Sequence, residues 1–114
     1  MPKHDPSILL RHMLDHAREA YSLAQSRSRA DLETDRLLNL ALVRLLEIIG
    51  EAASRVPIED RPHYPDIPWP QIIGMRNRLI HGYDSVDFDI LWQTVREDLP
   101  PLIAALENIL ASED

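Results

Sequence analysis

Apolar residues recur every three or four positions along most of this chain, and that period constrains its fold more than any other feature. Ile8, Leu10, Met13, Leu14, Ala17, Tyr21 and Ala24 form one series. Leu37, Leu38, Ala41, Leu45, Ile48, Ile49, Ala52 and Val56 form a second, longer one. Such a stripe gives an α-helix one buried face and one wet face. No segment alternates apolar and polar residues as a half-buried strand does. The first helix is predicted from Asp5, with Pro6 at the first helical position, to about Gln25. Ser26 to Ala30 is polar and reads as a loop, and Thr34 or Asp31 is the expected cap of the second helix.

Proline punctuates the second half. Pro57, Pro62, Pro65, Pro68 and Pro70 remove backbone donors and restrict the residue before each, so this stretch reads as an ordered connection. A third helix is predicted from about Pro70 to Ile80 or His81, with Gly82 where a left-handed cap is expected. Asp84 to Asp87 reads as a short polar turn. A fourth helix is predicted from about Asp87 to Ala111, kinked or split by Pro100-Pro101. The last two residues, Glu113 and Asp114, read as a frayed end. Four amphipathic helices with mostly short links predict an all-α, up-and-down four-helix bundle forming one domain over residues 1–114.

Composition narrows the classes of function. Hydrophobic residues make up 45% of the 114 positions and aromatics only 5%, so the core is expected to be aliphatic. The absence of Cys excludes disulfides and thiolate metal sites. No apolar run is long enough to span a bilayer, and Met1 to Asp5 lacks a leader's apolar stretch, so a cytoplasmic location with no membrane partner is expected. A net charge of −7 argues against broad, non-specific nucleic-acid binding. It leaves room for a local basic site and suits a basic protein partner.

One such site stands out. Arg76-Asn77-Arg78-Leu79-Ile80-His81-Gly82-Tyr83 gathers two Arg, an Asn, a His and a Tyr within eight residues. A guanidinium grips phosphate oxygens in a fixed fork, and an imidazole moves a proton near neutral pH. Together they suit phosphodiester chemistry with no metal and no cofactor. The plainer reading has Arg76 and Arg78 solvated and His81 in a helix C-terminal turn, where a cation is favoured. Asn77 and His81, four apart, share a helix face, but Arg76 and His81 lie about 140° apart on an ideal helix. Either His81 lies past the last regular turn, near Gly82, or a dimer brings two copies of the motif together.

Other residues carry weaker signals. Glu47 and Glu51 lie four apart, and Glu51 is expected to pair with an Arg of the third helix. Gly50 would let helices approach closely. His12 and His16 share the spacing of some metal ligands, but no third ligand stands out, and a surface or partner-facing pair is the better reading. His63 carries no readable signal. Trp69 and Trp92 are expected as packing anchors.

Three segments in order, "LLEIIGEAA" (45–53), "GMRNRLIHGYD" (74–84) and "LWQTVREDLPPLI" (91–103), give the chain a resemblance to the HepT-like toxins of the HEPN superfamily. Their motif, R-x4-H-x-Y with a polar residue after the Arg, is matched by Arg76, Asn77, His81 and Tyr83 without departure. The resemblance implies the same helical bundle, a homodimer with facing motifs and an endoribonuclease toxin. It also implies an antitoxin partner, an MNT-type nucleotidyltransferase that neutralises the toxin by transferring AMP to Tyr83.

In RNA cleavage of this kind the 2′-hydroxyl attacks the adjacent phosphorus, leaving a 2′,3′-cyclic phosphate and a 5′-hydroxyl. His81 would act as general base or acid and Arg76 would stabilise the phosphorane-like oxygens. Asn77 would hydrogen-bond substrate or His81, and Arg78, Tyr83 and Glu51 are candidate substrate contacts. Read from spacing alone, Tyr83 either stacks a base or packs on the bundle end. The competing function is a non-catalytic helical module that binds a nucleotide or a nucleotidyltransferase. The intact Arg76–His81 motif favours the enzyme, and the acidic charge favours the module.

Overall fold

The computed structural model describes residues 5–81 and 85–112, His81 through its backbone alone. Gly82 as a helix cap, the start of the turn at Asp84, Tyr83 as the modification site and the frayed end at 113–114 all lie outside the described residues.

Helix α1 spans Ser7–Ala24, two residues inside the predicted start. Asp5 Oδ1 accepts the Ser7 N–H at 3.0 Å, and the Pro6 carbonyl accepts the N–H of Leu10. The helix buries Leu10, Met13, Leu14, Ala17, Ala20 and Ala24. A one-turn helix, α2 (Asp31–Thr34), leads into α3 (Arg36–Arg55). The cap of α3 is Asp35, neither Thr34 nor Asp31. Only Asp35 has extended backbone, φ −116° and ψ 93°, and its Oδ1 accepts the Leu38 N–H at 3.1 Å. Asp31 instead closes the preceding loop, accepting the Ser28 N–H at 2.8 Å. Arg27 bridges the two carboxylates, at 2.6 Å from Asp35 and 3.4 Å from Asp31.

The proline-rich connection folds into a 3₁₀ turn at Ile58–His63 and is pinned by Trp69. The indole Nε1 donates to the carbonyls of Arg61 and Tyr64 at 3.2 and 3.3 Å, and the Arg61 guanidinium lies 5.9 Å from the ring centre. Trp69 is buried, as a packing anchor should be. Trp92 is half-buried, with Arg96 over its ring at 5.8 Å.

The third helix is not continuous. It divides at Gly74 into α4 (Trp69–Ile73) and α5 (Met75–Leu79). The predicted extension to Ile80 or His81 is also corrected. Ile80 has extended backbone, and Ile80–His81 forms β1, antiparallel to β2 (Ser85–Val86), with Ile80 opposite Val86 and His81 opposite Ser85. The Asp87 N–H donates to the Leu79 carbonyl at 2.8 Å, closing the ladder. Two-residue strands are too short to show a period of two in the sequence.

The last helix begins with Asp87 as N-cap, its Oδ1 accepting the N–H groups of Asp89 and Ile90. It runs as α6 (Phe88–Gln93), a π turn over Thr94–Asp98 and α7 (Leu99–Ser112). The irregularity therefore precedes Pro100-Pro101, which sit inside α7. Neither proline can donate to the carbonyls of Arg96 and Glu97, and in a regular α-helix their rings would press on those carbonyls. Widening the preceding turn relieves that pressure. Thr94, the buried polar residue of the core, satisfies its hydroxyl by donating to the Ile90 carbonyl at 2.7 Å.

The core is aliphatic, with Leu10, Met13, Leu42, Leu46, Ile49, Leu79, Leu91, Leu99 and Leu106 fully enclosed. The fold is an all-α bundle with one minimal hairpin. Among the described residues no helix is long and apolar enough to cross a membrane.

Candidate functional site

Helix α5 is short, and its sequence decides what it exposes. Met75 and Leu79, four apart, are buried, which leaves Arg76, Asn77 and Arg78 on the outer surface. Gly50 sets where this turn lies. A Cβ there would stand 3.0 Å from the Ile72 carbonyl oxygen, tighter than most Cβ contacts, so the close approach of α3 to α4 favours glycine, as its place in the sequence suggested. The crossing brings α5 beside α3, where Arg76 Nε donates to Glu47 Oε2 at 2.8 Å. Arg76 remains 63% exposed and Glu47 only 22%, so the carboxylate is the fixed partner and the guanidinium the presented one. The terminal amino groups of Arg76 make no hydrogen bond among the described residues.

The expected pairing of Glu51 with an Arg of the third helix is not made. Glu51 pairs along its own helix with Arg55 at 3.0 Å, and Glu47 takes the role instead. The two carboxylates share a helix face, so the sequence could not choose between them. The crossing point of α4 and α5 makes the choice.

Arg76 and Arg78 leave α5 in different directions. Arg76 lines a groove of about 380 Å³ beside Glu47, Gly50, Ser54 and Ile73. Arg78 lines a cleft of about 420 Å³ toward Glu97 and Asp98 of the π turn, its Nη2 donating to the Gln71 carbonyl at 3.3 Å. Asn77 is exposed between them. His81 follows in extended backbone beyond the last helical turn. The chain therefore does not carry Arg76 and His81 on one straight helix, and the 140° separation of an ideal helix does not apply to them.

A family model described as Ribonuclease HepT-like matches residues 13–109. The chain belongs to the HepT-like family. That family lies within the HEPN superfamily, as the three segments indicated. A protein of Caldanaerobacter subterraneus described as a candidate RNase is 37% identical over 108 residues, covering 95% of this chain and 96% of its own. The protein of Thermococcus cleftensis named "Probable ribonuclease HepT" is 38% identical over 100 residues, covering 84% and 91%. A third relative, a candidate RNase of Methanocaldococcus jannaschii, is 32% identical over 110 residues, covering 96% and 91%. No solved structure matches.

Among the described residues of this HepT-like chain, His12 and His16 lie on α1 and His63 on the 3₁₀ turn. His16 Nδ1 lies 2.6 Å from the His12 carbonyl oxygen, and the two rings meet edge-on at 6.3 Å. His63 is exposed on the 3₁₀ turn, with its ring near Tyr64. Among the described residues no three His, Asp or Glu side chains gather closely enough to hold a metal ion.

Proposed function

We propose that this HepT-like chain is an endoribonuclease that cleaves RNA without a metal ion, using Arg76 and His81. The observation that carries the reading is the state of Arg76. Its Nε is engaged by Glu47, its terminal amino groups make no hydrogen bond among the described residues, and it stands exposed in the turn before His81. A guanidinium held by one edge presents its other edge to two phosphate oxygens. Membership of a ribonuclease family supports the same reading.

In this mechanism His81 takes the proton of the 2′-hydroxyl or supplies one to the departing 5′-oxygen, and Arg76 stabilises charge on the non-bridging oxygens. Asn77 orients substrate or imidazole. The active form is a homodimer that brings two 74–83 segments close. The chain is the toxin of a toxin–antitoxin pair, and its nucleotidyltransferase partner neutralises it by AMP transfer to Tyr83. The adduct adds bulk and a negative phosphate where RNA should bind.

The test is cleavage of a single-stranded RNA by purified protein in the presence of a chelator. Loss of a general acid–base group typically costs about 10²–10⁴ in rate, so His81→Ala and Arg76→Ala should each approach background while keeping their helical circular dichroism. Undiminished cleavage by His81→Ala overturns the mechanism. Co-expression with the nucleotidyltransferase should add AMP mass to wild type and not to Tyr83→Phe.

A further inference from the structure

Arg44 stands on α3 one turn before Glu47, exposed, and makes no hydrogen bond or ion pair among the described residues. Two grooves meet at it. One is the groove of about 380 Å³ that holds Glu47, Ser54 and Arg76. The other, of about 200 Å³, lies between α1 and α3 and is lined by His12, Ile48 and Arg55. Arg44 and Glu51 line both, so the grooves form one path along the outer face of α3.

The charges along that path are nearly, but not wholly, paired. Glu47 is taken by Arg76 and Glu51 by Arg55. Three Arg against two Glu leave one positive charge, and Arg44 is the Arg without a partner among the described residues. On a chain of net charge −7, such a cation next to the candidate site is a specific feature and no part of a general basic surface.

We propose that Arg44 is a phosphate subsite for the RNA strand, gripping a backbone phosphate next to the one held by Arg76. The inference rests on the ribonuclease reading above. Arg44 precedes Glu47 by three residues, about 4.5 Å along the helix axis, so a strand leaving Arg76 along the groove reaches it at once. Its guanidinium fork matches phosphate oxygens. A contact to phosphate fixes position and carries no sequence information, so Arg44 contributes to binding and not to base choice.

The probe is a fluorescein-labelled, single-stranded 2′-O-methyl RNA, which cannot be cleaved. Its affinity is read by anisotropy across a salt series for wild type, Arg44→Gln, Arg44→Lys and a control, Arg11→Gln, on the exposed surface of α1. Arg44→Gln should weaken binding several-fold and flatten the slope of log affinity against log salt by about 0.7, the share of one phosphate on a single strand. Arg44→Lys should recover part of both, and Arg11→Gln should change neither. Equal affinity and slope in Arg44→Gln overturn the subsite, as does a wild type that does not bind the probe. A variant that loses binding only because its light-scattering mass falls overturns it too, since Arg44 would then serve a protein interface. Cleavage by wild type and His81→Ala, measured in parallel, reports on the ribonuclease reading separately.

Discussion

Arg76 Nε lies 2.8 Å from Glu47 Oε2, a contact that spans 29 residues of sequence and joins α5 to α3 at the candidate site. The carboxylate engages one edge of the guanidinium, and in the mechanism proposed above the other edge meets substrate. An ion pair this exposed contributes about 0–1 kcal/mol to stability. In the proposed mechanism its value lies in orientation, because a misaimed charge stabilises a transition state poorly.

Glu47→Ala should therefore lower kcat for RNA cleavage while KM and the thermal midpoint change little. Glu47→Gln, which keeps an oxygen acceptor, should lie between it and wild type. Glu51→Ala breaks the bond to Arg55 on the same helix and, because Glu51 lines the proposed RNA path without touching Arg76, should act on KM and leave kcat unchanged. Steady-state kinetics on the three variants check this, and equal kcat for Glu47→Ala and wild type would remove the positioning role.

Gly50→Ala should destabilise the fold despite alanine's higher helix propensity. That propensity favours the variant by roughly 0.5–1 kcal/mol. The new Cβ would meet the Ile72 carbonyl at 3.0 Å, and backbone cannot swing aside as a side-chain tip can. Overpacking of this kind costs about 1–3 kcal/mol. Denaturant unfolding should show a net loss, together with reduced cleavage as α5 shifts from Glu47. A variant as stable as wild type would mean the helices separate freely there.

Leu42 and Leu37 provide an internal contrast on α3. Leu42 is fully buried and Leu37 is 81% exposed. Leu42→Ala should cost about 2–5 kcal/mol, whereas Leu37→Ala should stay within about 0.5 kcal/mol of wild type. Urea midpoints distinguish the two, and similar losses would contradict the packing of α3.

The loop before α3 makes stability depend on pH in a defined direction. The Arg27 guanidinium, then the Leu38 N–H, hold the Asp35 carboxyl below its ordinary value. The Ser28 N–H, then Arg27, do the same for Asp31. The folded state thus takes up these protons less readily than the unfolded chain, where Asp titrates near about 3.9. Their stabilisation is complete above the unfolded value and fades as pH falls through the lower folded values. Replacing both with Asn, which still caps a helix, should flatten the loss of stability between about pH 5 and pH 3. Denaturation midpoints at the two pH values test this, and parallel losses in variant and wild type would count against it.

The helical parts of this fold were legible because their apolar spacing is a local property. Leu10, Met13, Leu14 and Ala17 on α1 and Leu38, Leu45, Ile49 and Ala52 on α3 are buried as their spacing predicts. Ile8 and Leu37 of the same two series are instead 63% and 81% exposed, and the fully buried Leu42 and Leu46 lie outside them, because α3 is turned so that its Leu42–Leu46 edge faces the core. Gly50 was legible as a contact point for a similar reason, since a bare helix position has few other uses. Glu47 was not, because its distinction from Glu51 depends on where a distant segment crosses α3. The Asp35 cap was missed because a single turn of helix intervenes and shifts the extended residue past Thr34. The hairpin at Ile80 escaped because a two-residue ladder leaves no pattern, and the resemblance supplied the motif without its backbone.

The π turn over Thr94–Asp98 also sets the phase of the last helix. On either side of it the buried residues keep to one face: Leu91, Thr94 and Val95 before and within the turn, and Leu99, Leu102, Leu106 and Leu110 after it. A π turn holds more residues than an α turn and so shifts the phase between the two segments, with α6 packed on the motif helix and α7 on α1. A segment that carries one residue more than its geometry requires is a place where length can change without scrambling the core. Removing exposed Arg96 should let the turn relax toward a regular helix, whereas a one-residue deletion within α3 has no slack to draw on and should misalign every buried position beyond it.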